Sequence, residues 1–419
     1  MFYPQADLDT NQLQSSNPEF ELQYVIKTNR ISSGLFCENV IDEKGNVYIS
    51  SFIKSFDGND RPYFAKFNLK GEQVWEKVLD TRGRATSVTI NENGFIWVAG
   101  VYNKALEIDN HSVYSPDQAM FLAKFNSDGF CLSLKSSLNN ALPADIHSGG
   151  NGQLLIGGLM GSELQLDSYR VLNEGKKDIW FLGKVGSDDI CNNLEKINGT
   201  VHRVKSNSKG NFVIGGSFKE DLYTGVGDHN LEPISKQPRG FLLSLNSDMG
   251  VEWSKLYEAQ SFKESIVDFT RLANGHLAVL RQLDTLHTSK LFIDLFTDEG
   301  IKIESKLLHD RIKKRTVSTI AQHPNQSIWV STKMALGSVT LPYKKTKQER
   351  EGKALLMELT TSGRLIKKYE INHGRNTLIR SADSGVNGIT FSGHFQDSIT
   401  VQGKKLMSDG NHSIFLLKL

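Results

Sequence analysis

Asn91–Gly100, NENGFIWVAG, reads as a polar turn followed by an apolar strand that ends in small residues. Asn and Gly accept the positive φ that tight hairpins need, and a Phe-Ile-Trp-Val run has the composition of a strand buried on both faces. The unit recurs as EKGNVYISS (Glu43–Ser51), GNGQLLIGG (Gly150–Gly158), SKGNFVIGG (Ser208–Gly216), ANGHLAVL (Ala273–Leu280), PNQSIWVS (Pro324–Ser331) and VNGITFSG (Val386–Gly393). That makes seven copies. Gly45, Gly94, Gly152, Gly210, Gly275, Gln326 and Asn387 serve as equivalent turn positions, at intervals of roughly 50 to 65 residues.

A second unit follows each of these after a variable insert: an apolar strand, a polar turn and another strand. Examples are YFAKFNLKGEQVWEKVL from Tyr63, MFLAKFNSDGFCLSL from Met120 and LFIDLFTDEGIKIESKL from Leu291. Each repeat is then a four-stranded meander, and units of this size fit propeller blades better than solenoid coils. The chain is expected to be all-β, a seven-bladed β-propeller with blades at about 34–79, 85–137, 144–197, 201–257, 265–308, 316–371 and 377–419, preceded by an arm at 1–19. The seventh repeat stops at Leu419 after its third strand. FELQYVIK at Phe20–Lys27 resembles the fourth strands of other repeats, so it is expected to complete the last blade and remove an open sheet edge.

The inserts ALEIDNHSVYSPDQAMFLAKF, LQLDSYRVLNEGKKDIWFLGKV and ITVQGKKLMSDGNHSIFLLKL combine a short strand, a polar turn and an apolar strand ending near Lys. This arrangement resembles the SBBP-type β-propeller repeats common in the Bacteroidetes. The resemblance covers residues 20–419 and implies the fold. Many such proteins carry a signal peptide and a C-terminal sorting domain, and this sequence shows neither.

Among 419 residues, Lys and Arg number 49 against 47 Asp and Glu, so no global field attracts nucleic acid or anionic membrane. No apolar stretch is long enough for a spanning helix, and the first twenty residues lack a basic start followed by an apolar run. A cytoplasmic or particle-associated protein is expected, or an extracellular one if the chain is a mature fragment. Cys37, Cys131 and Cys191 are odd in number and far apart, which suggests buried free thiols and neither a disulfide framework nor a zinc site.

The usual signatures of enzymatic propellers are missing, as are GxSxG, HExxH, Walker and GxGxxG sequences. No cofactor or metal ligand is assigned; His147 and His202 are read as hydrogen-bonded structural residues. The NSDG at Asn126–Gly129 and TDEG at Thr297–Gly300 sit where hairpin turns belong. Trp75, Trp97, Trp180, Trp253 and Trp329 read as repeat-equivalent packing between blades.

Two groups remain as candidate binding features. Glu38, Asp145, Arg203, Asp268 and Arg380 fall close to corresponding positions of the innermost strands, and could form a polar ring at the channel. Lys313, Lys314, Arg315, Lys344, Lys345 and Lys347 form a basic patch beside the sixth blade, suited to an acidic or phosphate-bearing partner. The expected function is a non-enzymatic protein-binding scaffold, a structural or adaptor subunit of a larger assembly such as a phage-tail-like or contractile injection particle. A carbohydrate or receptor recognition module and an enzyme with a site at the channel mouth are the alternatives.

Overall fold

A computed structural model describes residues 22–175, 177–207, 209–219, 222–223, 230–231, 238–257, 262–312, 317–333, 353–373, 377–408 and 412–419. They form seven antiparallel four-stranded blades in a ring, with one 3-10 turn at Gly150–Gly152 as the sole helical element among them. Blade 3 shows the plan, running from the channel outward through Ala141–Ser148, Leu154–Met160, Ile179–Val185 and Cys191–Ile197. The arm expected at 1–19 lies outside the described residues.

The turn between the first two strands is uniform in blades 1, 2, 4, 5 and 6. Asp42, Asn91, Asn207, Leu272 and His323 each donate the backbone N–H to the carbonyl four residues on, at 2.7 to 3.0 Å. The αL position of this turn falls on Gly45 (φ +79°), Gly94 (φ +77°), Gly210 (φ +75°), Gly275 (φ +85°) and Gln326 (φ +73°). Where Asx opens the turn, its side chain caps the following amides, as Asn91 Oδ1 does for Asn93 and Phe95. Asn126 does the same in the outer hairpin, so NSDG is a turn with its own hydrogen bonds. Blade 7 departs from this plan. Its Gly385↔Gly388 pair closes over Val386 and Asn387, and the positive φ sits on Gly388 (+123°) rather than on Asn387.

Ring closure uses one 18-residue strand, Tyr24–Ile41. Its first part pairs with the last strand of the chain, Tyr24 against Lys418 and Lys27 against Phe415, and becomes the outer strand of blade 7. After a register shift, Cys37 to Ile41 pair with Val47–Lys54 as the inner strand of blade 1. Blades 7 and 1 therefore share a covalent strand, and the last strand of the chain is paired on both sides instead of being left as an edge.

Three repeated contacts fasten neighbouring blades. Third-strand lysines reach forward to the next blade: Lys66 donates to Ser127 O at 2.9 Å, Lys124 to Asp189 at 2.8 Å, and Lys184 to Ser247 O. Outer-strand aromatics stack on the next outer turn, where an added Cβ on Gly129 would sit 3.0 Å from the Trp75 ring, and one on Gly300 2.6 Å from that of Trp253. Tyr24 occupies the same place over Gly71.

The third contact is made by the inserts. Glu163–Leu166 with Tyr169–Leu172, and Ser398–Val401 with Lys404–Met407, are hairpins at the rim that bury Leu164, Leu166, Ile399 and Val401. The turn residue Asp167 accepts from Lys135 of blade 2 at 2.7 Å and from the Cys191 amide of blade 3 at 2.8 Å. Asp109 repeats this one blade earlier with Lys77 and Cys131. All three cysteines are free and buried.

Candidate functional site at the channel mouth

Each innermost strand faces the channel along one side. In blades 2, 3, 4, 5 and 7 it carries one extra residue relative to its partner strand, at Thr86, Ala144, His202, Val267 and Arg380. Such a bulge re-aims a side chain out of the ladder. These five residues, with Cys37 of blade 1, line one cavity of 380 Å³. Leu142, Pro143, Trp180 and Val201 supply much of the rest of the wall, and Glu38 and Arg203 reach it from below as a pair, so the lining is mostly apolar.

One step deeper, Glu38, Ser87, Asp145, Arg203, Asp268, Thr319 and Ser381 occupy matched positions, since their ladder partners are the equivalent Ser50, Ala99, Gly157, Gly215, Leu280, Ser331 and Ser392. Four of the five ring candidates from the sequence fall in this layer. Arg380 does not: it is the bulged residue just before Ser381 and belongs to the cavity wall.

This layer stitches blade to blade. Glu38 accepts the Val88 amide at 3.3 Å, Ser87 Oγ the Ile146 amide at 3.0 Å, Asp145 the Val204 amide at 2.7 Å and Asp268 the Ile320 amide at 3.1 Å. Asp383, two residues beyond Ser381, accepts the Ile41 amide at 2.8 Å across the closure. A carboxylate that accepts a buried amide contributes about 1.5–3 kcal/mol. The clips therefore act on docking between blades.

Arg203 is the hub of the charges, 3.3 Å from Asp268 and 3.7 Å from Glu38. Burial opposes its charge, but Asp268, Asp145 and Glu38 hold its guanidinium above the ordinary value. Burial likewise opposes charge on Lys205, and Asp268, Asp145 and Asp383 outweigh it. On the acidic side, burial and the charge of Asp145 push Glu38 up to about 8, although Arg203 pulls the other way. Burial raises Asp145 and Asp383 too.

The two inner-strand histidines are half-buried and kept neutral, His147 pushed down to about 3 and His202 to about 4, in each case chiefly by desolvation. His202 Nδ1 lies 2.6 Å from Ile266 O, and His147 Nε2 3.4 Å from Ser206 Oγ. Among the described residues no group of three or more His, Cys, Asp or Glu is arranged to hold a metal ion.

The tryptophans divide. Trp75 and Trp253 lie on outer strands and donate to Ser127 O and Asp298 O of the next blade. Trp97 and Trp329 are buried in second strands. Trp180, which the sequence grouped with them, stands near the start of a third strand and lines the cavity. All six basic-patch residues, Lys313, Lys314, Arg315, Lys344, Lys345 and Lys347, lie outside the described residues.

No known family's sequence profile matches the chain, and no curated protein sequence does. Among solved structures it is similar to a protein of unknown function from Dyadobacter fermentans, at 11% identity over 94% of this chain and 98% of that one, with a TM-score of 0.47. A protein of unknown function from Bacteroides caccae matches at 12% identity, 77% and 93% coverage and a TM-score of 0.38. The polysaccharide lyase Uly1 matches at 9% identity, 91% and 89% coverage and a TM-score of 0.48.

Proposed function

We propose that this propeller is a rigid, non-enzymatic protein-binding scaffold, a structural or adaptor subunit of a larger assembly. The observation that carries this reading is the commitment of the channel carboxylates: Glu38, Asp145, Asp268 and Asp383 each accept a backbone amide of the following blade. Each of these groups is thereby tied to the neighbouring blade, which supports a structural role for the channel ring. Lysine, aromatic and insert-hairpin contacts at larger radii add to the same end, a platform whose connecting loops present a fixed surface.

Kinship with the SBBP-type repeats is part of this reading, and rests on the rim hairpins and the third-strand lysines. A particle-borne or cytoplasmic setting is part of this proposal, and the near balance of 49 basic against 47 acidic residues supports a protein rather than nucleic acid as partner. A phage-tail-like or contractile injection particle is one such assembly. The basic segments beside blade 6 are the electrostatic contact we assign to an acidic partner.

The test is purification of the tagged chain from its native cells under mild conditions, followed by size exclusion and mass measurement. The scaffold reading expects co-elution with a defined partner in fixed stoichiometry. A free monomer that carries no partner at either low or high salt overturns it. A second reading, small-molecule recognition, has a specific observation in its favour: the apolar cavity with Trp180 and Arg380 in its wall.

A further inference from the structure

We propose that the cavity at the channel mouth binds a small monocarboxylate with an apolar body, anchored by the guanidinium of Arg380. The argument begins with the charge. Arg203 is paired with Asp268 and Glu38, and Arg281 with Glu264 and Asp294. Arg380 has no carboxylate within ion-pairing distance among the described residues, and its buried Nε has no hydrogen-bond partner there. Burial and the like charge of Arg203 both disfavour its cation, and the neighbouring Cys37 is held as a neutral thiol by burial and offers no countercharge. A part-buried guanidinium whose buried Nε has no partner is poorly satisfied, and a carboxylate satisfies a guanidinium with two parallel hydrogen bonds.

The walls define the rest of the ligand. Leu142, Pro143, Trp180, Val201 and Val267 offer hydrocarbon, so a second charged group would be desolvated without compensation. Glu38 and Arg203 also line the cavity but pair with each other at 3.7 Å, and Glu38 and Asp145 accept amides of the next blade, so neither adds a free charge to the wall. One uncompensated positive charge therefore matches one negative charge. At 380 Å³ the space lies at the small end of ligand pockets, enough for a short acyl chain or a single aromatic body.

The inference concerns the isolated chain and stands whether or not the scaffold reading holds. Calorimetric titration with octanoate, and separately with octan-1-ol, tests it. The expected result is saturable one-to-one binding of octanoate, at least about tenfold tighter than the alcohol. In Arg380→Gln the octanoate affinity should fall to that of octanol while octanol binding stays as it was, which also shows that the variant is folded. Leu142→Trp should fill the cavity and abolish both. Equal affinity for acid and alcohol in the parent, unchanged octanoate binding in Arg380→Gln, parallel loss of both ligands in that variant, or no saturation by about 10 mM octanoate each overturns the proposal.

Discussion

Substituting Tyr24 by Ala attacks the ring closure at one side chain. Tyr24 is 6% exposed, pairs with Lys418 in the ladder and lays its ring over Gly71 of blade 1, where an added Cβ would stand 3.1 Å from it. Truncating a buried aromatic to Ala costs about 3–5 kcal/mol. With an unfolding entropy near 2.1 cal/mol/K per residue, the chain has about 0.9 kcal/mol/K in all, so the melting temperature should drop by about 4 °C. Gly71→Ala meets two penalties: its φ of +82° is strained for an L-residue, and the new methyl meets the ring. In the Tyr24→Ala background only the first remains, so the double variant should be more stable than the two single costs imply by about 1 kcal/mol. Chemical denaturation of the four proteins measures this coupling, and Trp75→Ala, the equivalent contact on Gly129, sets the scale for an ordinary blade junction. Strict additivity, or a Tyr24→Ala cost below about 1 kcal/mol beside a large Trp75→Ala cost, would refute the docking of the N-terminal strand on blade 1.

Two further outcomes follow from the channel. Asp145→Ala strands the buried Val204 amide and removes a countercharge from Arg203, so it should cost about 2–4 kcal/mol, whereas Asp145→Asn keeps an acceptor and should cost less; equal losses in urea titrations would show that the amide clip is not what matters. Glu38 has a folded-state pKa raised to about 8, so the folded state holds its proton more tightly than the unfolded one and stability is lost as pH rises from about 4.5 to about 8. Glu38→Gln should therefore gain on the parent in melts across that window and gain most above pH 8, and a constant difference between the two curves from pH 5 to 9 would contradict the shift.

The blade plan was legible because it is local. A hairpin that needs Asx to open it and Gly or its like at the αL position writes itself into about five consecutive residues, and Asn91–Gly94, Asn126–Gly129 and Asn207–Gly210 all show it. The outer strand supplied by Tyr24–Lys27 could be found because blade 7 runs out of chain at Leu419. The partners of individual side chains could not be read this way. That Lys66 reaches Ser127, or that Asp167 joins Lys135 to the Cys191 amide, depends on how two blades sit together, and the repeat length between them varies. Trp180 shows the same limit: its residue type suits packing, and only the cavity beside it distinguishes it from Trp97.

The one displaced ring residue has a physical reason that bears on the site. Glu38, Ser87, Asp145, Arg203, Asp268 and Thr319 each stand seven residues before the αL position of the turn that follows, at Gly45, Gly94, Gly152, Gly210, Gly275 and Gln326. Counting from Asn387 puts Arg380 in that series. Blade 7, however, closes with a shorter turn whose positive φ falls on Gly388, so the count moves by one and Ser381 takes the ring position. A shift of one residue sends a strand side chain to a different surface. The move takes Arg380 out of the layer where Asp145, Asp268 and Glu38 neutralise their surroundings and into the layer of Cys37, Thr86, Ala144 and Val267, whose side chains carry no carboxylate, while Glu38, which also lines the cavity, is paired with Arg203. The same short turn that obscured the register in the sequence thus leaves a guanidinium facing an apolar cavity, and that unpaired charge makes the channel mouth a place for an anion to bind.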